Sequence, residues 1–529
     1  MSERRADQAW VFWDGTCGFC RRAVDWIKRQ DRHDRLFPVP YQVAPRPPMT
    51  EALARRCAHA IHVLTPEGVV LSAGRASLYL MDAVGWRRFS AVFSTRPLIW
   101  LVEAAYRVVA GRRQWFSRFL FRPERLENQV GDDVRLERLK LALCLALAAG
   151  LLLSQKLWVS SRTYPLMPVW AHSPTIPFPL DYVVFVVLLL LLGAAAAARR
   201  PLRPLAAILI IAGGLSVLDQ SRWQPWFYQY VFMLGALALH YWKREPAAPA
   251  AVALNTCRVI VASVYLWSGL HKLNRSFVNG VFPWFLQGLF TIPAGIVEYL
   301  AWLGAGVALL EVGIGIGLIT TRWRFTAIIA AIPMHLFILV CLGPLGHNID
   351  RGVWPWNLAM IAFNFLLFRN TALLPARQIL SPANGWYHVA VLVLFAILPA
   401  LSFVQLWDSY LSFTLFSGDT KRAQIYVSDG VRRDLPSAIR VYVTQDESGR
   451  NVLDYGVWSM EEMKVPSYPE ARIYRRLALY PCRYAKAPGE VELVIAQRSL
   501  AAVLRSLMRL RLEPTLRSIS HYDCGSLRP

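Results

Sequence analysis

Residues 13–20 read Trp13-Asp14-Gly15-Thr16-Cys17-Gly18-Phe19-Cys20, and this stretch decides the fold of the first domain. It follows a strand-like apolar run, "AWVFW", and precedes "RRAVDWIKRQ", whose apolar spacing is helical. A Cys-x-x-Cys pair at a strand-to-helix junction places its first thiol at a helix N-terminus, where unpaired amides and the macrodipole favour thiolate over thiol. Cys17 is therefore expected to attack and Cys20, one turn later, to resolve. Gly15 and Gly18 suit the tight turn. Asp14 lies close enough in sequence to relay a proton, although its negative charge opposes thiolate formation. Zinc would need two more ligands, for which Cys57 with His59 or His62 is available. Redox chemistry is the favoured reading, and no metal is expected.

Outward from the pair, "AIHVLTPEGVV" reads as two strand halves around a Pro66-Glu67-Gly68 turn. "GRASLYLMDAVGW" and "IWLVEAAYRVVAGRRQWFSRFLF" then carry helical spacing, so residues 1–130 are expected to form a small α/β domain. The N-terminus shows no apolar leader, so this domain is expected to be cytoplasmic.

From about residue 139 the text becomes a series of apolar runs, near 139–159, 181–198, 205–219, 227–241, 254–272, 296–318, 326–343, 353–368 and 388–407. Each approaches the ~20 residues of a spanning helix, giving about nine crossings of the inner (cell) membrane within residues 131–414. Composition agrees: the chain is 55% hydrophobic, with a mean hydropathy of +0.33. Lys and Arg exceed Asp and Glu by 58 − 35 = 23, but in short pairs between apolar runs, a pattern that suits membrane lipids and not nucleic acid. Arg199-Arg200 with Arg203, Lys243-Arg244, Arg322 with Arg324, and Arg369 with Arg377 fall in alternate loops, as for an N-terminus inside and an odd number of crossings.

Charges within spans are functional candidates until a partner is found. This topology puts Asp219, Lys272, His335 and Asp408 in the outer half, beside loop residues Arg222, His347, Asp350 and Arg351. Arg258 and Glu311 fall in the inner half, where they are expected to neutralise each other as a structural pair. Lys272 ends an apolar span, where a desolvated ammonium can lose its proton and serve as a base. His335 is expected nearby, to orient or share a proton.

Residues 415–529 are more polar, with strand-like "AQIYVSD", "IRVYVTQD" and "VELVIAQRS" and a helical "LAAVLRSLMRLRLE". They are expected to form a small extracytoplasmic α+β domain. Cys482 and Cys524 are its two cysteines, and on the oxidising side they are expected to bridge.

Two resemblances add to this reading. "DGTCGFC", "LTPEGVVLSAGRAS" and "YRVVAGRRQWFSR" resemble the DCC family of thiol-disulfide oxidoreductases over residues 9–125, which implies a thioredoxin-like fold with Cys17 and Cys20 as the redox-active pair; with the domain inside, a cytosolic thiol is the expected reductant. "YLWSGLHKLNRSFVNG" resembles the segment of vitamin K-dependent gamma-carboxylase that carries its catalytic lysine, within the wider horizontally transferred transmembrane domain family; "DQSRWQPWFYQY", "MHLFILVCLGPLGHN", "WPWNLAM" and "WDSYLSF" extend it over 139–418. That likeness implies Lys272 as the base and a lipid quinone or hydroquinone as cofactor. The carboxylase has a much larger lumenal portion than the last 115 or so residues here, which argues against glutamate carboxylation. The leading expectation is a membrane-bound redox enzyme; the alternatives are a carboxylase-like modification enzyme and a non-enzymatic lipid-binding or assembly protein.

Overall fold

The computed structural model describes residues 5–31, 33–96, 98–111, 131–171, 173–242, 250–291, 293–371, 374–498 and 517–527. The expected helix at 500–513, the loop pair Lys243-Arg244 and the end of the 99–121 helix lie outside them. The chain divides into two compact units, Met1–Gln129 and Val130–Pro529.

In the first unit the order is β1 (Ala9–Trp13), α1 (Gly18–Gln30), β2 (Leu36–Pro40), α2 (Glu51–Cys57), β3 (His62–Leu64), β4 (Val70–Ser72), α3 (Ala73–Ala83), α4 (Arg87–Phe93) and α5 (Leu98–Gly111). The sheet runs β2-β1-β3-β4. β1 and β2 are parallel, pairing Ala9 with Leu36 through Trp13 with Pro40, while β3 and β4 add antiparallel. Alternate side chains of a strand point to opposite faces, and both faces of β1 are covered. Ala9 and Val11 pack with Ile27, Val63, Ala76 and Leu80; Phe12 packs with Met49, Leu53 and Cys57. The β3–β4 hairpin turns where the sequence places it, with Gly68 at φ +87°, a conformation that a side chain would strain.

In the second unit each of the nine apolar runs falls on a helical segment. Five of these are long and apolar enough to cross a membrane: Leu180–Ala197, Ala250–Lys272, Tyr299–Ile319, Arg324–Leu342 and Trp386–Val404. Asp132–Leu153, Leu202–Leu218, Pro225–Trp242 and Val353–Phe368 carry the other four runs. Ala250–Lys272 is central: 78% of its apolar window is buried, against 28% for Leu180–Ala197.

The central helix meets Val297–Ile319 through small residues. A Cβ on Gly269 would stand 2.6 Å from the Val312 nitrogen and 2.8 Å from the Ala308 oxygen; one on Gly315 would stand 2.7 Å from the Leu266 nitrogen and 2.9 Å from the Ala262 oxygen. Backbone therefore touches backbone at both positions, the contact that small residues spaced along a helix permit.

This register corrects the expected Arg258–Glu311 pair. The C-terminal end of the central helix lies level with Ala308 and Val312, about eleven residues (308 − 297) or roughly 16 Å into its neighbour. Glu311 thus meets Lys272, Nζ to Oε2 at 2.6 Å. Arg258 is satisfied elsewhere: Nε donates to the Leu367 carbonyl at 2.8 Å and Nη1 to Asn255 Oδ1 at 2.6 Å. Leu367 is at the end of Val353–Phe368, where helix carbonyls are unpaired and the dipole is negative. Arg324 likewise donates to Leu318, Ile319, Thr371 and Leu374 carbonyls, and Arg222 to Leu157, Trp158 and Leu215 carbonyls. A guanidinium with five donors can be neutralised by helix ends as well as by an acid, a solution that counting charges in sequence does not consider.

The C-terminal strands are β5 (Arg422–Val427), β6 (Val443–Gln445), β7 (Asn451–Leu453), β8 (Val491–Arg498) and β9 (Arg517–Asp523), in antiparallel order β6-β7-β5-β8-β9. "IRVYVTQD" is strand only from Val443; Ser437–Arg440 is a helical turn. Cys482 and Cys524 form a disulfide, with Cα atoms 5.6 Å apart. The sheet and the helices share one core, in which Trp458 meets Tyr164 edge to face at 5.0 Å. Arg472 pairs with Asp408, and Glu462 accepts from the Thr163 and Tyr164 amides at 2.7 and 2.8 Å.

Candidate functional site

The thiol pair sits where α1 begins. Cys17 is the N-cap, and its Sγ accepts from the Cys20 N–H at 3.3 Å, so the sulfur occupies the place of an orphan-amide partner. Both cysteines are half-buried. Asp14 shapes the turn leading in: its Oδ1 accepts from Thr16 N (3.0 Å), Thr16 Oγ1 (2.7 Å) and Gln42 Nε2 (2.9 Å). Gln42 closes the loop by accepting from Gly15 N at 3.1 Å, and a Cβ on Gly15 would meet Pro40 at 3.0 Å. Gln42 was not singled out by sequence, because a lone glutamine before a proline-rich loop carries no motif.

Cys57, the sequence candidate for a zinc ligand, is buried beside Phe12, and burial pushes its thiol up to about 11. His62 turns Nδ1 to the Ala60 carbonyl at 2.9 Å. Among the described residues no group of three or more His, Cys, Asp or Glu side chains gathers to hold a metal ion.

The second constellation lines a cavity of about 90 Å³ in the helical unit. Its walls are largely apolar, with Phe282, Phe285, Met334, Met360, Phe413 and Phe416 among them. Lys272 and Glu311 stand on one side, the lysine also donating to Ser268 Oγ at 2.6 Å. Ser268 is one turn before Lys272, so the helix that carries the ammonium also helps to hold it.

His335 and Tyr265 line the same cavity. Asn357 Nδ2 donates to the Val353 carbonyl at 2.8 Å, which leaves its Oδ1 to accept from His335 Nδ1 at 2.7 Å. A neutral His335 then offers Nε2 as acceptor to the Tyr265 hydroxyl, while Asn364 Nδ2 donates to that same oxygen at 2.6 Å. The chain Asn364–Tyr265–His335–Asn357 is thus directional. Sequence had named Lys272, Glu311 and His335 but not Tyr265, Asn357 and Asn364; two asparagines seven apart in "WPWNLAMIAFNF" were the available signal.

Of the other residues grouped with this site by topology, Asp219 instead pairs with Arg162 and Arg222, and His347 stacks on Trp284 at 4.0 Å. Asp350 is buried, and neither carboxyl oxygen has a hydrogen-bond partner among the described residues. Burial pushes its carboxyl up to about 8. The Val353 N–H nearby, already given to the Asp350 carbonyl at 3.1 Å, offsets this only in part.

What the arrangement can do divides between the units. The first offers a cysteine at a helix start with a second cysteine one turn on, the requirement for thiol-disulfide exchange. The second offers a largely apolar chamber bordered by one ion pair and one phenol-imidazole pair. No curated protein and no solved structure matches the chain. Residues 11–119, which hold the cysteine pair and its sheet, match the family model of the DCC1-like thiol-disulfide oxidoreductases.

Proposed function

We propose that the chain is a membrane-bound redox protein whose first unit exchanges disulfides through Cys17 and Cys20 and whose helical unit binds a lipid quinone or quinol beside Lys272. The observation that carries the first part is Cys17 at the N-cap of α1, within a β1-α1-β2-α2-β3-β4-α3 order of thioredoxin type. The Cys17 thiolate attacks one sulfur of a substrate disulfide; a mixed disulfide forms and one substrate thiolate leaves. Cys20 then attacks the Cys17 sulfur, releasing the second substrate thiolate and closing Cys17–Cys20. Two electrons pass to the substrate, whose thiolates take up protons, and a cytosolic dithiol restores the pair by the reverse exchange.

The quinone part is supported by the apolar chamber and by its two polar pairs. Lys272 and Glu311 would hold one oxygen of the ring and could take up its proton, while Tyr265, His335 and the aromatic lining would border the ring. The reading takes all nine apolar helices as crossings, with the N-terminus cytoplasmic and the C-terminal sheet outside, where the Cys482–Cys524 bridge can persist.

In nanodiscs, the full chain should reduce a protein disulfide at the expense of a dithiol; Cys17→Ser should abolish this, and Cys20→Ser should accumulate a mixed disulfide on Cys17. Unchanged turnover in Cys17→Ser would refute the first part. A short-chain naphthoquinone should bind the full chain and lose at least tenfold in affinity in Lys272→Met. Equal binding by both proteins would refute the second part and leave the first standing.

A further inference from the structure

The face that α4 and α5 turn away from their sheet is apolar and basic. On α5, the inward side carries Ile99, Glu103, which accepts from the Arg75 N–H at 3.1 Å, and Tyr106, whose hydroxyl accepts from the Ile61 N–H at 2.8 Å. The outward side carries Trp100 and Leu101, 63% and 64% exposed, followed one turn on by exposed Ala104 and Ala105. Ahead of it, Trp86 and Phe89 meet edge to face at 5.9 Å, Phe89 lies 4.4 Å from Phe93, and Val92 is exposed. Arg87, Arg88, Arg96 and Arg107 are exposed around this apolar set. The single acid between residues 84 and 111 is Glu103, and its carboxylate is turned to the start of α3.

We propose that this face rests on the anionic surface of the bilayer that the chain's own helices enter. Tryptophan favours the boundary between headgroup and acyl chain, an outward apolar helix face is what an interfacial helix buries there, and the four exposed arginines complement anionic headgroups. Burial of the aromatic rings supplies attraction to any bilayer, and the arginines make it depend on lipid charge.

The test is a photo-crosslinking side chain, p-benzoylphenylalanine, in place of Trp100 in the full chain, reconstituted into nanodiscs of phosphatidylcholine alone or of an equal mixture with phosphatidylglycerol. Adducts are identified by mass spectrometry. The proposal expects lipid adducts that increase in the mixed discs and fall about fivefold with each of Arg87→Gln and Arg88→Gln. Adducts to residues 130–529 or to a second copy would overturn it, as would no adduct, or lipid adducts indifferent to both lipid charge and the arginines. The same probe in place of Leu101 repeats the measurement should the Trp100 replacement disturb folding.

Discussion

Breaking the Lys272–Glu311 pair from either side should destabilise the helical unit, and breaking both together should cost less than the sum. The two side chains are 12% and 9% exposed and 2.6 Å apart, so removal of one leaves a largely buried charge without its partner. Such a loss costs about 3–5 kcal/mol. Unfolding entropy of ~2.1 cal/mol/K per residue over the 400 residues of Val130–Pro529 (529 − 129) is about 0.84 kcal/mol/K, so each single variant should melt about 4–6 °C lower. Lys272→Met, Glu311→Gln and the double variant form the cycle, read from tryptophan fluorescence in one detergent at one scan rate. The double variant should show a coupling of ~2 kcal/mol or more, whereas Arg258→Met with Glu311→Gln should add to within ~0.5 kcal/mol. Coupling between Arg258 and Glu311, or single losses below ~1 kcal/mol, would refute the assignment.

Gly269→Ala places a methyl 2.6 Å from the Val312 nitrogen and should cost about 1–3 kcal/mol, while Gly313→Ala on the facing helix, with nothing within 4 Å, should be neutral in the same melts. For Asp350, whose folded-state value of about 8 lies above the ordinary 3.8, the folded chain holds a proton that the unfolded chain has lost. Its contribution to stability is complete below pH ~4 and falls by up to ~1.4 kcal/mol per pH unit as pH rises toward 8; Asp350→Asn should flatten the melting-temperature profile across that window, and an unchanged slope would count against the buried acid. Replacing Cys482 and Cys524 by alanine opens a loop spanning 42 residues, which the chain-entropy relation values at about 4 kcal/mol; melting that is identical with and without the bridge would contradict this.

The sequence was most readable where one local pattern sufficed. Cys17 and Cys20 needed only the strand before and the helix after them, and Pro66-Glu67-Gly68 announced the β3–β4 turn by composition. The apolar runs located helical segments because apolar runs of that length have few other solutions, but not all met the length and apolarity of a crossing. What failed was the level of one helix against another. Arg258 and Glu311 were matched by assuming that neighbouring helices begin and end together, whereas Gly269 and Gly315 set an offset that no single-helix pattern encodes. The polar chain behind Tyr265 was missed for a related reason: Asn357 and Asn364 act through partners on other helices.

The close contact at Gly269 and Gly315 has a consequence for how the chamber can evolve. Near Lys272 and Glu311 the spacing of the two helices is set by main-chain atoms, so it cannot be adjusted by trading one side chain for a slightly larger or smaller one. Substitutions at Phe282, Met334 or Phe416 can reshape the cavity without moving the ammonium relative to the carboxylate. The shape of the cavity and the distance from ammonium to carboxylate are therefore separately variable: the first can drift with the aromatic lining, while the second is anchored in a helix spacing that only glycine permits.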